Sequence, residues 1–451
     1  VFTFAAFLKV PNAPQQPKGG ESVSGWSDGF RASPTGQTKN MVNFTRNILS
    51  NGLRVLVHED TTTPLVAVNI TYYVGSRDEH PDKTGFAHLF EHLMFAGSKH
   101  APDFDDPLQL AGGENNAYTT NDYTTFYEIL PAENLETALW LESDRMLALN
   151  ISKKALDVQR KVVVEEFKET CLNEPYGDSW HHLSELLFQH HPYRWPVIGL
   201  VPEHVESAVL NDVLSFFKRW YTPNNAVLSI AGNVRPDEAM ALAEKWFSAI
   251  PGGPAADRSL PAEPPQLVPL RKEVHAKVPV RAIYLAFRTP ARLHPDFYPM
   301  DLLSDILAQG HSSRLYRRLL KEKQLFTQID AYVTANVDPG LLVVEGRPAD
   351  NVSTEDALAA IWEELELLKT ERIEERELLK IQHRFESTIV FSETSVMNKA
   401  QNLAFYEILD RAELMNEEVE TYFAVTPDDL LRAANDLFQP NNSATLIYVP
   451  A

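Results

Sequence analysis

The sequence predicts an α+β protein of two homologous domains, each a mainly antiparallel β-sheet with helices packed on it. Three observations carry this. The chain has 451 residues, beyond the ~250–300 at which a single hydrophobic core stops growing. Its two halves run through the same order of strand, helix, hairpin and helix patterns. Between them, Pro251 to Pro269 is rich in Pro, Gly and Ala and lacks periodicity, as interdomain linkers do. The expected divisions are a flexible leader over 1–40, a first domain over 41–255, a linker over 256–269 and a second domain over 270–451.

The leader differs from the rest in composition. Val1 to Val10 is apolar without a basic segment before it, Pro11 to Lys39 is rich in Pro, Gly, Ser and Gln, and Met41 reads as a natural start. In the first half, Leu53 to His58 alternates, Asp60 to Pro64 carries turn residues and Val66 to Val74 is β-branched and aromatic, which predicts a hairpin. A helix follows, with Thr84 as its N-cap, Phe86, Leu89, Phe90, Leu93 and Met94 at helical spacing, and Gly97 placed to end it. Asn116 to Leu130, rich in Thr, Tyr and Phe, predicts a second hairpin, and Glu133 to Leu149 another helix. The second half repeats the plan: a strand over Val280 to Arg288, a helix over Tyr298 to Leu307 and a hairpin over Gln328 to Arg347. A helix then opens at Ser353, with Asp356 at capping-box spacing.

Composition excludes several classes of function. A net charge of −21 argues against a general nucleic-acid or anionic-membrane binder, which needs clustered Lys and Arg. No apolar run reaches the ~18 residues of a membrane span, so a soluble protein is expected. Cys171, the one cysteine, rules out an intrachain disulfide and a thiolate metal cluster, and its polar neighbours offer no base to make it a nucleophile. A metal, if present, rests on His and carboxylates.

The first predicted helix carries His88-Leu89-Phe90-Glu91-His92. Residues four apart lie one above the other on a helix, so His88 and His92 can reach one ion, with Glu91 on nearly the same face. A catalytic zinc needs a third protein ligand and an open position for water. Glu165 and Glu166, which close the run Val162-Val163-Val164-Glu165-Glu166, are the two candidates, and Glu91 is placed to take a proton from the water. The corresponding helix of the second half, Tyr298 to Leu303, has no His, so only the first domain is a candidate for zinc chemistry. The adjacent pairs His181-His182 and His190-His191 point apart on a helix and do not readily chelate a second ion.

His-x-x-Glu-His is the inverted zinc motif, and over about residues 43–451 the chain resembles the pitrilysin and insulinase family, in the branch similar to mitochondrial processing peptidase. The resemblance implies one half of a clamshell, one Zn2+ per chain, and hydrolysis of short or unfolded peptides in an enclosed chamber. It selects Glu166 over Glu165, through the segment Arg160 to Glu166, as third ligand beside His88 and His92, with Glu91 catalytic. Where the family has a further Glu seven positions earlier, this chain has Gln159, which can hydrogen-bond in the shell around the ligands but carries no charge. Gly112 to Thr119 resembles the family's edge strand, in which Asn116 and Ala117 match the positions that pair with substrate main chain. A soluble bacterial protein is implied, of cytoplasm or periplasm.

One family feature is missing. Self-sufficient relatives carry an Arg and, seven residues later, a Tyr in the second domain, where this chain has Leu320 and Thr327. That loss implies a homologous non-catalytic partner subunit supplying the pair, unless Arg314, Tyr316, Arg317 or Arg318 replaces it. Two other readings remain open at this point. One is a non-enzymatic organising subunit, although such relatives typically lose the motif. The other is a structural zinc module, which would close with four ligands rather than three.

Overall fold

The structure, a computed structural model, describes residues 41–255 and 258–451, and the leader expected over 1–40 lies outside the described residues. Two sheets organise the chain. The first contains β1 (Thr45–Ile48), β2 (Arg54–Glu59), β3 (Leu65–Tyr72), β4 (Glu114–Thr119), β5 (Thr124–Pro131) and β6 (Ala226–Gly232), in the order β1-β2-β6-β3-β5-β4. The second contains β7 (Leu270–Ala276), β8 (Ala282–Arg288), β9 (Phe326–Val333), β10 (Leu341–Pro348) and β11 (Ser443–Pro450), in the order β7-β11-β8-β10-β9. Neighbours are antiparallel except β2 with β6 and β7 with β11, which are parallel. The helices that matter below are α1 (Phe86–Leu93), α2 (Leu135–Ala148), α3 (Lys153–Phe167), α4 (Ser179–Leu187), α5 (Leu210–Trp220), α6 (Phe297–Ala308), α7 (Thr354–Thr370), α8 (Glu375–Ser392) and α9 (Val396–Leu409).

The duplication holds strand by strand. Without β1, the first sheet maps onto the second with β2 on β7, β6 on β11, β3 on β8, β5 on β10 and β4 on β9. Helices follow the same rule, α1 with α6, α2 with α7 and α3 with α8. A short tripeptide marks the repeat too: Pro223-Asn224-Asn225 precedes β6 and Pro440-Asn441-Asn442 precedes β11. Asn225 donates to the carbonyls of Trp220 at 2.7 Å and Tyr73 at 3.1 Å. Asn442 donates to those of Leu437 at 3.0 Å and Arg288 at 3.1 Å, so each Asn ties a helix end to the strand beside it.

Three local expectations are corrected. The run over 53–74 is not a hairpin, because β6 lies between β2 and β3. All seven residues of β6 are buried, as only a central strand can be. The five residues Asp60 to Pro64 are long enough to cross two strand spacings of about 4.8 Å each. Thr84 is not the N-cap of α1, which is Gly85. The buried Thr84 hydroxyl instead accepts from Leu200 N–H at 2.7 Å and bonds His204 Nδ1 at 2.8 Å. Gly97 does not end α1, whose C-cap is Met94; it turns the chain three residues later at φ +91°. The hairpins β4–β5 and β9–β10, the α6 helix and the Ser353 cap, which accepts from Asp356 N–H at 3.0 Å, lie where expected.

Each sheet is covered on both faces, and one cover comes from the other half of the chain. Val396 and Ala400 of α9 pack on Ala67 and Ala231 of the first sheet, while Leu403 and Ala404 join Leu56 and Val227. Reciprocally, Leu183 and Leu187 of α4 pack on Tyr284, Ala286, Leu446 and Tyr448 of the second sheet. Burial on both faces explains why β3, β6, β8 and β11 read as nearly unbroken apolar runs rather than alternating ones. Among the described residues no helix is long and apolar enough to cross a membrane.

One charged cluster sits inside the first core. Arg145 of α2 is fully buried, donates from Nε to Glu142 Oε2 at 2.8 Å and from a terminal nitrogen to Glu128 Oε1 at 3.4 Å, and packs 4.4 Å from the ring centres of Phe104 and Phe126. Removing it strands two carboxylates in an apolar setting. Arg145→Met should therefore cost about 3–5 kcal/mol, read as a lower urea midpoint; an unchanged midpoint would show that the cluster contributes nothing.

Candidate metal centre

The register of α1 follows from its apolar stripe. Phe86, Leu89, Phe90 and Leu93 are buried, and Phe90 stacks 5.2 Å from Phe216 of α5 and 4.9 Å from Tyr221. The opposite side of the helix then carries His88, Glu91 and His92 toward the open side of the domain. At Gly85 the backbone is left-handed (φ +85°), and an added Cβ would meet the Ile198 carbonyl at 2.8 Å. With no side chain there to cap the helix, the carboxylate of Glu79 does so, accepting from Gly85 N–H at 2.9 Å and Ala87 N–H at 2.7 Å.

α3 brings the third acidic group. Ser152 caps it by accepting from Ala155 N–H at 3.1 Å, and Leu156, Val163, Val164 and Phe167 face the core. Glu166 then points at α1. Its Oε2 lies 3.1 Å from His88 Nε2 and 3.2 Å from His92 Nε2, and the two imidazole nitrogens are 3.3 Å apart. Glu165 turns outward, 72% exposed, and pairs with Lys168 Nζ at 2.7 Å. Gln159 is half-buried two turns before Glu166 on the same helix and takes no part in these contacts.

The triangle of donor atoms fits zinc. A tetrahedral ion with bonds of about 2.0–2.1 Å has ligand-to-ligand edges of about 3.3 Å, and the three separations of 3.1, 3.2 and 3.3 Å match one face of that tetrahedron. Two imidazoles and one carboxylate are also a donor set suited to zinc. Among the described residues this is the one group of three or more such side chains close enough to share an ion.

Glu91 sits beside the triangle rather than in it. Its Oε2 is 3.4 Å from His88 Nδ1 and accepts from Thr119 Oγ1 at 2.7 Å. Burial alone would raise its pKa, but His88, Thr119 and His92 outweigh burial and hold the carboxyl below its ordinary value. For His88, burial lowers the pKa, whereas the carboxylates of Glu166 and Glu91 raise it, with a net result of about 9. Glu166 is held well below the usual carboxylate range, first by its bond to His88 and then by that to His92.

Among the described residues β4 is an edge strand of the first sheet, with one row of its backbone groups unmatched by a neighbouring strand. Its side chains alternate, placing Ala117 and Thr119 on the side of α1 and Asn116 and Tyr118 on the other. Ala117 packs against the first core, and its N–H is held at 2.8 Å by the side-chain oxygen of Asn116. Beyond Tyr118 a cavity of about 130 Å³ opens between the two halves, lined in part by Trp180, Phe188, Thr334 and Phe405. Sequence reasoning missed Thr119, which reaches Glu91 from another strand, and Glu79, which reaches the start of α1 through an irregular turn.

The remaining expected or competing groups lie elsewhere. His181 Nε2 bonds the Gly199 carbonyl at 3.0 Å, His182 bonds Asp178 at 3.2 Å, and His191 faces Asp338 at 3.4 Å, so neither His pair converges. Cys171 is buried, and burial raises its thiol pKa, the reverse of an activated nucleophile. In the second half, Leu320 packs against the second core and Thr327 Oγ1 donates to the Arg347 carbonyl at 3.1 Å. Arg314, Arg317 and Arg318 pair with Glu377, Glu322 and Glu364.

Comparison with known proteins bears on the family and the fold. Residues 54–199 match the profile of Insulinase (Peptidase family M16), and residues 207–385 match that of the Peptidase M16 inactive domain. The chain is 29% identical over 412 residues to the zinc protease PqqE of Helicobacter pylori, covering 89% of this chain and 92% of that one. It is 26% identical over 408 residues to the uncharacterized zinc protease YmxG of Bacillus subtilis, covering 89% and 97%. The crystal structure of a protease from Helicobacter pylori superposes with a TM-score of 0.85 at 28% identity, over 91% of this chain and 100% of the other. The periplasmic protease PqqL from Escherichia coli shares the fold, with a TM-score of 0.75 at 20% identity, over 93% of this chain but 48% of its own.

Proposed function

Since this chain belongs to the insulinase family of peptidases (M16), we propose that it is a zinc-dependent endopeptidase acting on short or unfolded peptides, with His88, His92 and Glu166 holding one Zn2+ and Glu91 as the general base. The observation that carries this reading is the convergence of two His Nε2 atoms and Glu166 Oε2 within 3.1–3.3 Å, with a carboxylate from the same helix beside them. Held by His88, His92 and Glu166, Zn2+ would supply Lewis-acid polarisation of the scissile carbonyl and activation of a water. Glu91 is the residue that would accept a proton from the attacking water and return it to the leaving amine. The half-buried Gln159 contributes at most neutral hydrogen bonding to the surroundings of the site.

Substrate main chain pairs with the open edge of β4 at Asn116 and Ala117. Such pairing binds extended peptide with little demand on sequence. For it to occur, the Asn116 side chain must leave the Ala117 N–H that it now occupies. Only segments free of their own sheet or helix can offer an edge, which selects short or unfolded peptides.

A homologous, non-catalytic subunit completes the chamber by supplying the Arg and Tyr that this chain lacks. Two facts favour this: Leu320 and Thr327 occupy the expected positions, and the nearby arginines are engaged by carboxylates. The work site is a soluble bacterial compartment, cytoplasm or periplasm. Zinc-loaded chain alone should cleave a quenched fluorescent peptide library at least about tenfold more slowly than the complex isolated from its native source, a difference of ~1.4 kcal/mol in barrier. Equal rates would sink the partner subunit while leaving the peptidase intact.

A further inference from the structure

The contact between Thr119 and Glu91 joins two elements far apart in sequence, and it fixes one oxygen of the general base. Thr119 Oγ1 and His88 Nδ1 both approach Glu91 Oε2, at 2.7 and 3.4 Å. Oε1 makes neither contact and is the freer of the two oxygens to take a proton. A carboxylate on a long side chain has several rotamers, and only the one presenting Oε1 toward the His88, His92 and Glu166 triangle is productive.

The hydroxyl is well placed to enforce that rotamer. Thr is stiff at χ1, so its Oγ1 direction follows the strand backbone. The backbone is itself pinned, since Thr119 pairs with Thr124 in the β4–β5 register. The hairpin tip is held from three sides. Thr120 Oγ1 accepts from Asp122 N–H at 3.1 Å and Tyr123 N–H at 3.0 Å. The carbonyls of Thr120 and Asn121 accept from Ser76 N–H at 3.2 Å and Arg77 N–H at 3.0 Å. From the second half of the chain, Val337 N–H donates to Asp122 Oδ2 at 2.9 Å, while Asp122 Oδ1 meets Arg77 at 2.8 Å.

We propose that Thr119 is a positioning residue of the reaction: its hydroxyl holds Glu91 Oε2 so that Oε1 faces the water to be deprotonated. This rests on Glu91 being the general base. Losing one hydrogen bond to a charged group corresponds to about a 10–100-fold effect. Because Thr119 acts only on the base, kcat takes that loss and KM does not.

The experiment compares Thr119→Val, which keeps the side-chain shape, with Thr119→Ser, which keeps the hydroxyl, in the full zinc-loaded protein and in its complex. Expected are a kcat lower by about 10–100-fold in Thr119→Val with KM within about twofold, unchanged zinc stoichiometry and Tm, and recovery of most of the rate in Thr119→Ser. A crystal structure of metal-free Thr119→Val should also show the Glu91 carboxylate turned away from its present place. Full kcat in Thr119→Val, an equal defect in Thr119→Ser, or a loss carried by KM, zinc content or Tm would overturn the proposal. Failure of the underlying reading is separable, since Glu91→Gln would then retain activity whatever Thr119 does.

Discussion

Glu91→Gln should reduce peptide hydrolysis by at least about 10³-fold, within the range that a positioned general base contributes, with zinc still bound. The substitution is nearly isosteric, and an amide oxygen can still accept from Thr119 Oγ1, so the 2.7 Å contact has no steric reason to break. His88, His92 and Glu166 are untouched, and their triangle does not depend on Glu91 for any of its three edges. What disappears is the ability to accept a proton near neutral pH, because a carboxamide is not a base in that range. The loss should therefore fall on kcat with little change in KM. Hydrolysis of a quenched peptide and metal analysis on the same preparation test both halves of the expectation. Turnover like that of the parent protein would remove Glu91 from the mechanism. Loss of zinc along with activity would make it a support of the site instead.

How far the site was legible in the sequence depended on the range of each contact. His88, Glu91 and His92 lie within one and a half turns of α1, so their shared face follows from helix geometry alone. Glu166 is 74 residues beyond His92. No periodicity spans such a distance, and the choice between Glu165 and Glu166 came from family resemblance; in the structure it coincides with the outward turn of Glu165 toward Lys168. Thr119 left no local trace, since tertiary packing sets the strand that brings it to Glu91, and the irregular turn that brings Glu79 to the start of α1 carries no periodic signal. The same limit explains the misread hairpin. Residues 53–74 satisfy every local hairpin signal, and only the insertion of β6, some 150 residues later, separates the strands. Thr84 shows the reverse failure: a residue suited to capping was drawn into a buried contact with His204, and a more distant carboxylate took its role. The duplication is visible in the order of elements, and the Pro-Asn-Asn repeat before β6 and β11 is its most direct mark.

Exchanging the carboxylates of α3 one at a time should separate ligand from neighbour. Glu166→Gln should weaken zinc binding by more than the 10–100-fold typical of losing an outer partner of a metal site, whereas Glu165→Gln should leave it within about twofold, as for an exposed ion pair. The reason is placement: Glu166 Oε2 stands 3.1 and 3.2 Å from the two imidazole nitrogens, while Glu165 is exposed and engaged with Lys168. A pH series strengthens the contrast. In the metal-free protein His88 titrates at about 9, above the ~6.5 of an unperturbed imidazole. Below pH 9 its proton must leave before zinc can bind, so apparent affinity should rise about tenfold per pH unit from 7 toward 9 and level off above it. The metal-free protein has the opposite trend in stability. The raised folded-state pKa means that the contribution of His88 is fully present below about pH 6.5 and is lost as pH rises through 9. In Glu166→Gln the largest support for that raised pKa is gone, so both the slope of affinity with pH and the loss of metal-free stability above neutrality should flatten. Chelator competition and urea unfolding at pH 6, 8 and 10 measure the two trends, and equal zinc affinity in Glu166→Gln and the parent protein would exclude Glu166 as a ligand.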